Sequence, residues 1–191
     1  MKYKDYLIVT LLTLISPLIH GYYFGFIDHD VYLPYLNRII NPALYQNDYM
    51  FIQKHWAYSP FNYFIVFLKK ITGLDLAGTD FLLYLITLWL LYLAIYSLTK
   101  TIYKKSSIAF LAVWLFIVPK WAAQIGHMTH QFYFVSRDLS LALSLLALNC
   151  LLRRQFIYSL LLIVVGVFTN PSIPIPVGLM WVWLWLRRRK I

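Results

Sequence analysis

The stretch PFNYFIVFLKKI, residues 60–71, decides the fold. If this segment crosses a membrane, every later segment runs in the direction opposite to the one it takes if the segment does not cross. Its apolar core, residues 61–68, is far shorter than the ~20 apolar residues that a membrane crossing needs. Apolar residues at helical spacing form one side (Phe61, Phe64, Ile65, Leu68, Ile71) and polar residues the other (Asn62, Lys69, Lys70). The pattern predicts an amphipathic helix that lies along the membrane surface without crossing it.

The composition around this stretch is that of a membrane protein. Of the 191 residues, 61% are hydrophobic and only 13% are charged, whereas a soluble domain averages about 25% charged residues. The net charge of +10 stands in short clusters between apolar runs, which favours membrane lipid as the partner and argues against nucleic acid. Cys150 is the only cysteine, so the chain forms no intramolecular disulfide.

Four basic clusters punctuate the apolar runs: Lys2 and Lys4; Lys100, Lys104 and Lys105; Arg153 and Arg154; and Arg187, Arg188, Arg189 and Lys190. Lys and Arg beside transmembrane helices stay in the cytoplasm, so an even number of crossings separates each cluster from the next. The predicted crossings are residues 6–27, 81–98, 108–123 and 134–152, followed by a helical hairpin of 156–168 and 173–186. The hairpin turns outside at Asn170, Pro171 and Ser172.

A count of basic residues tests the interfacial placement of residues 60–71. With this segment at the interface, eleven Lys and Arg residues face the cytoplasm and six face outward. If the segment crossed, every later one would flip, leaving six inside against eleven outside. The positive-inside rule therefore favours the interface.

The predicted fold is an all-α, polytopic helical membrane protein with about six transmembrane helices and both termini in the cytoplasm. We expect a multi-pass protein of the plasma membrane, as in the bacterial inner membrane. Residues 1–191 form a single transmembrane module, and residues 28–80 form a long external loop that contains juxtamembrane, interfacial helices.

Acidic residues concentrate on the external side of this topology. The chain has no Glu, and six of its seven Asp residues fall there. Asp28 and Asp30 flank His29 directly after the first crossing. Two carboxylates so placed can chelate a divalent metal ion such as Mg or Mn, and partial desolvation suits one of them to general-base catalysis. We predict Asp28 and Asp30 as catalytic and metal-binding residues; the alternative is a solvated loop with an Asp that caps the next helix.

Further candidates for substrate binding lie beyond this motif. Arg137 and Asp138 open the fourth crossing, where ionisable residues cost ~2.5–3.5 kcal/mol each, and the Arg137 fork suits a phosphate. Snorkelling of Arg137 to the headgroups is the alternative. His127 and His130 are spaced like metal ligands but have no evident third partner, so a polar interfacial segment remains open. Lys69 can reach a pyrophosphate or be a solvated edge charge.

With this topology, the chain resembles the N-terminal part of the GT-C membrane glycosyltransferases. The residues that carry the resemblance are Asp28-His29-Asp30, the stretches 31–36 and 41–48, the interfacial segment 60–71 followed by Gly73-Leu74, and Arg137-Asp138. Asn170-Pro171-Ser172 is similar to a His-Pro-Ser/Thr turn of some bacterial members, with Asn170 in place of the His.

The resemblance implies transfer of a sugar from a polyprenyl-phosphate donor to an external acceptor, with inversion. It implies an external Asp as base or metal ligand and Arg137 as a contact to the donor phosphate. Family enzymes have more helices, so the chain is expected to be a truncated or split member, with a partner subunit that supplies the missing helices. The alternatives are a non-catalytic polytopic membrane protein, a degenerate fragment of such an enzyme, and a small transporter.

Overall fold

The computed structural model describes residues 3–26, 28–52, 60–118, 121–122, 127–128 and 131–188. The elements in these ranges are α1 (Tyr3–His20), α2 (His29–Ile40), α3 (Tyr49–Ile52), α4 (Pro60–Thr72), α5 (Leu76–Tyr103), α6 (Ser106–Ile117), β1 (Trp121–Ala122), β2 (His127–Met128), α7 (Ser136–Leu152), α8 (Phe156–Thr169) and α9 (Ile175–Arg188). The predicted helical class is confirmed. Within the described ranges, the antiparallel pairing of Trp121 with Met128 is the only departure from it.

Helix α1 is shorter than the predicted segment 6–27, because glycines end it. Gly21 takes a left-handed conformation with a φ of 82°, and its N–H donates to the carbonyl of Pro17 over 2.9 Å. Glycine has no Cβ, so it adopts this helix-ending conformation at little cost. The chain then turns again at Gly25, with a φ of 79°, before α2 begins. The prediction of a helix to residue 27 is therefore wrong at its C-terminal end.

Helices α1 and α5 are antiparallel, as two contacts between them show. Near one end, Lys100 Nζ contacts Asp5 Oδ2 at 2.8 Å. Farther along, the indole N–H of Trp89 donates to Thr10 Oγ1 over 3.1 Å. Since α1 and α5 run in opposite directions, the chain between them, which includes α4, makes no net passage from one end of the bundle to the other.

The same end of the bundle collects the later basic clusters. Thr101 near the end of α5 donates to Asn149 near the end of α7, and Arg153 donates to Thr101 over 2.9 Å. The indole N–H of Trp181 in α9 donates to the carbonyl of Phe156 at the start of α8, over 2.9 Å. We call this end the basic end; it carries Lys4, Lys100, Lys104, Lys105, Arg153, Arg154 and Arg187. The opposite end, at the start of α5 and the end of α8, contains a cavity, and we call it the cavity end.

Helix α4 packs at the cavity end, across the ends of the longer helices. The ring of Phe61 lies 5.9 Å from that of Phe134, before α7, and 6.2 Å from that of Phe168, at the end of α8. Phe61, Ile65 and Val66 are buried, whereas Tyr63 and Phe67 are exposed. The helix is amphipathic as predicted, but the residues divide differently between its faces. Asn62, predicted on the polar side, is buried, whereas Phe64 and Ile71, predicted on the apolar side, are exposed.

By length and composition, α5 is the one helix in the described ranges that is long and apolar enough to cross a membrane. Helices α6, α8 and α9 are apolar but shorter. Of the predicted crossings, residues 108–123 become a helix that ends at Ile117, directly before Val118 and Pro119, since a proline cannot continue the hydrogen-bond pattern.

Candidate functional site

A cavity of about 190 Å³ lies at the cavity end, between α2, α4, the start of α5 and the segments that precede α7 and follow α8. Its lining residues are His29, Tyr32, Leu33, Leu36, Phe61, Asn62, Ile65, Asp80, Phe134, Val135, Ser136, Thr169, Asn170 and Pro171. At about 30 Å³ per molecule of liquid water, this volume equals roughly six waters. The cavity is therefore large enough for one small ligand group and smaller than most drug-sized pockets.

His29, the first residue of α2, lines the cavity, and its side chain is only 2% exposed. The backbone N–H of Gly25 donates to His29 Nδ1 over 3.0 Å, which makes Nδ1 an acceptor and assigns the ring proton to Nε2. Nε2 lies 3.2 Å from the carbonyl oxygen of Phe134 and 3.5 Å from Asp80 Oδ1. The Nε2 atom of His29 is thus directed at an acid and a backbone carbonyl.

Asp80 is the carboxylate of the cavity and is 5% exposed. The hydroxyl of Tyr22 donates to Asp80 Oδ2 over 2.8 Å, and the backbone of Phe134 contributes a further hydrogen bond. Burial and the neighbouring carboxylate together raise the pKa of the Tyr22 phenol, which keeps this donor protonated.

The structure does not bring Asp28 and Asp30 together. Asp28 is half-buried at the N-cap position of α2, where its side chain makes no capping hydrogen bond, and Asp30 is exposed in the first turn. Residues two apart on a helix do not face each other, so the two carboxylates point in different directions. Among the residues that the structure describes, no group of three His, Cys, Asp or Glu side chains is arranged to hold a metal ion. The metal-binding role of this pair stays a prediction.

Asp28 instead belongs to a second polar group, beside the cavity, that includes Arg137. Burial and the negative charge of Asp28 raise the pKa of Tyr133 to about 12, while the positive charge of Arg137 opposes this shift. Arg137 Nε lies 3.7 Å from Asp138 Oδ1, and Asp138 Oδ2 accepts the backbone N–H of Gln131 over 3.1 Å. We call Asp28, Tyr133, Arg137 and Asp138 the Arg137 cluster. The structure therefore brings together three of the predicted site residues: Asp28, Arg137 and Asp138.

The structure does not place the remaining predicted site residues in the cavity or in the Arg137 cluster. Lys69 is half-buried near the end of α4 and is not among the residues that line the cavity. His127 belongs to β2, of which only the backbone is described, and His130 lies outside the described residues. The predictions for His127 and His130 stay predictions.

The turn after α8 contributes the last wall of the cavity. Asn170 Oδ1 accepts the backbone N–H of Ser172 over 3.2 Å and its hydroxyl over 2.6 Å, which fixes the turn. The carbonyl of Asn170 accepts the hydroxyl of Ser140 in α7 over 2.9 Å. These bonds hold Asn170 beside Thr169 at the cavity. Asn170 is also the first residue of the turn that resembles the family turn.

His29 and Asp80 are the central residues that sequence reasoning missed. The sequence marks His29 only as the residue between two acids, and Asp80 only as one of several external acids. One signal was available: Asp80 directly precedes an apolar run, and an acid at the end of such a run is costly unless it has a partner.

No family model, curated protein or solved structure matches this chain. The resemblance to GT-C glycosyltransferases stays a prediction that depends on the residues quoted for it.

Proposed function

We propose that the chain is a polytopic membrane module with the basic end in the cytoplasm. The distribution of its side chains supports this. Large apolar residues face outward, with Leu18 at 83% and Ile157 at 76% exposure. Polar residues such as Thr87, Ser97 and Ser144 are buried between helices instead. Extended apolar surface of this kind requires cover, and lipid supplies it while small polar residues mediate contacts between helices.

The short apolar helices are compatible with this arrangement if the bilayer thins around them. Helix α8 has 14 residues, and at 1.5 Å per residue it spans roughly 21 Å against a hydrocarbon core of ~30 Å. A mismatch of this size costs fractions of a kcal/mol per Å and is met by local thinning or by flanking residues. The Arg153 and Arg154 side chains at one end of α8 suit such flanking positions.

On this module, we assign a GT-C-like glycosyltransferase activity that moves a sugar from a polyprenyl-phosphate donor to an external acceptor. The observation that carries the assignment is that the cavity and the Arg137 cluster lie side by side at the end opposite the basic clusters. Under the proposed orientation this is the external membrane surface, where a lipid-linked phosphate resides. Arg137 suits the phosphate, because its Nε contacts Asp138 and its terminal amino groups form the planar fork that binds neighbouring oxygens.

The chemical step then has a simple balance. The acceptor hydroxyl attacks the anomeric carbon, the bond between that carbon and the phosphate oxygen breaks, and polyprenyl phosphate leaves with the bonding electrons. Asp28 takes the hydroxyl proton as general base, and Arg137 stabilises the charge on the departing phosphate. Attack opposite to the leaving group inverts the anomeric centre.

The test is a membrane assay with radiolabelled polyprenyl-phosphate sugars and the full chain. Asp28→Asn is expected to lower turnover by about 10²–10⁴-fold, the typical loss on removing a general base. Arg137→Gln is expected to lower it by about 10²–10³-fold, the typical loss for one oxyanion-stabilising donor. Asp75→Asn is the matched control, because Asp75 is an exposed carboxylate that caps α5 and Asn caps equally well. Unchanged turnover in both site variants removes the roles assigned to Asp28 and Arg137, and the absence of turnover in the unaltered chain favours a non-catalytic membrane protein instead.

A further inference from the structure

The cavity holds a carboxylate that the transfer step above does not use. Asp80 is buried, lines the cavity and is surrounded by donors from Tyr22, His29 and Phe134. The residues that line the cavity include no Lys or Arg. The cavity therefore favours an uncharged ligand with hydroxyl groups over a phosphate.

Asp80 also retains capacity to accept a hydrogen bond from a ligand. Each carboxylate oxygen has about two acceptor sites. Oδ2 receives the Tyr22 hydroxyl at 2.8 Å, whereas the Nε2 of His29 lies at 3.5 Å from Oδ1 and donates more closely to the Phe134 carbonyl. The Tyr22 hydroxyl and the Phe134 backbone N–H are its close donors, so Asp80 keeps open acceptor sites at the cavity wall that suit the hydroxyl group of a ligand.

The rest of the lining narrows the chemistry of the ligand. Asn62 and Asn170 supply neutral amides, and Phe61 and Phe134 supply aromatic carbon. A sugar ring matches this combination, since it has hydroxyl groups on its edge and apolar C–H groups on its faces. A divalent cation matches less well, because both nitrogens of His29 are engaged and the lining contains no second carboxylate.

We infer that the cavity is a binding site for one neutral sugar ring, with Asp80 as the acceptor of a ring hydroxyl and His29 as a positioning residue that orients Asp80. The choice of a sugar rests on the proposed function. The cavity binds the uncharged ring, and the Arg137 cluster binds the charged phosphate.

The test is direct binding of free monosaccharides to the purified full chain in nanodiscs. Glucose, mannose, galactose and N-acetylglucosamine are titrated one at a time and followed by saturation-transfer NMR. At least one is expected to bind, and Asp80→Asn is expected to weaken its binding at least tenfold. Asn62→Leu, which removes an amide at similar volume, is expected to weaken it as well and serves if Asp80→Asn does not fold. Asp75→Asn, on the exposed cap of the same helix, is the control and is expected to bind as the unaltered chain does.

Four outcomes overturn the inference: no sugar binds, sugar binding is unaffected by both Asp80→Asn and Asn62→Leu, inorganic phosphate competes for the cavity, or Mg²⁺ alone binds in an Asp80-dependent way. Its failure is distinguishable from that of the proposed function. Transfer activity without Asp80-dependent sugar binding retains the transferase and removes this site. Asp80-dependent sugar binding without transfer retains the site as a sugar-binding cavity and removes the transferase.

Discussion

Asp5 at the start of α1 and Lys100 near the end of α5 form an ion pair of 2.8 Å that joins two segments 95 positions apart. Asp5 is buried and Lys100 is partly exposed. Lys100 also donates to the hydroxyl of Tyr96 over 3.3 Å and lies 5.4 Å from the centre of its ring. The pair fixes the antiparallel arrangement of α1 and α5 at the basic end.

Removal of Lys100 is expected to destabilise the protein, because it leaves the buried Asp5 carboxylate without this cation. We expect Lys100→Met to lower the free energy of unfolding by about 1–3 kcal/mol, less than for a fully buried pair because Lys100 is partly exposed to solvent. Asp5→Asn combined with Lys100→Met is expected to recover part of the loss. Thermal unfolding in detergent measures both, with the exposed Lys105→Met as control. Equal midpoints for Lys100→Met and Lys105→Met contradict a stabilising pair.

Cysteine labelling tests the orientation of the two ends. In a chain with Cys150→Ser, Lys70→Cys at the end of α4 is expected to react with a membrane-impermeant maleimide in intact cells. Lys104→Cys, after α5, is expected to react only after the membrane is opened. Both lysines are exposed, so accessibility to the reagent differs only by the side of the membrane. Labelling of position 70 only in opened cells rules out the proposed topology.

The order and type of the elements were predictable from the sequence because they depend on local pattern. The amphipathic segment 60–71 becomes α4 within one residue of its expected bounds, whereas the apolar run 81–98 becomes α5, which extends five residues farther at each end. Turn chemistry was harder to predict: α1 ends at His20 because Gly21 adopts positive φ, although the apolar run continues beyond it. Hydrophobicity alone does not report where a glycine ends a helix.

The centre of the cavity was not predictable from the sequence, because it depends on contacts between distant segments. In Asp28-His29-Asp30, local sequence does not reveal which of the three side chains faces inward. The bond from Gly25 N–H to the His29 ring, and the approach of Phe134, settle this in favour of the histidine. Asp80 meets Tyr22 across 58 positions. Arg137 was found from sequence because an arginine at the edge of an apolar run is conspicuous by itself.

Alkaline pH is expected to destabilise the protein through Tyr133. Its pKa is about 12 in the folded chain, against an ordinary value of 10.0, because of burial and the negative charge of Asp28. Between these values the unfolded chain releases this proton and the folded chain keeps it, so the free energy of unfolding falls as pH rises from about 10 to 12. Below pH 10 the stabilisation is fully present. Unfolding curves measured over this range are expected to be flatter for Tyr133→Phe than for the unaltered chain.

The variant Asp28→Asn tests whether the charge of Asp28 raises the pKa of Tyr133. Removal of the negative charge is expected to lower the pKa of Tyr133 toward its ordinary value, because Arg137, which favours the phenolate, then acts unopposed. An ultraviolet difference titration between the Asp28→Asn and Asp28→Asn/Tyr133→Phe chains isolates this tyrosine. An unchanged titration midpoint contradicts a direct interaction between Asp28 and Tyr133.

Close packing between α8 and the turn that follows it makes a last prediction at Gly166. A Cβ on this residue would lie 2.9 Å from Pro174 Cγ and 3.7 Å from Ser140 Oγ. The proline ring is rigid, and Ser140 holds the carbonyls of Gly166 and Asn170, so the added methyl group forces the turn to shift. We expect Gly166→Ala to cost about 1–3 kcal/mol, the usual penalty of overpacking, and to lower the unfolding midpoint by several degrees.

Gly178→Ala in α9 is the matched control for Gly166→Ala. A Cβ there would meet only Ile163 Cγ2, at 3.8 Å, which is ordinary contact. Alanine favours a helix over glycine by about 0.8–1.0 kcal/mol, so this variant is expected to unfold at an equal or higher temperature. Because Asn170 lines the cavity, Gly166→Ala is also expected to weaken sugar binding, whereas Gly178→Ala is not. If both variants unfold at the same temperature, close packing at Gly166 does not hold the turn in place. The part of the cavity wall that this turn forms is then deformable.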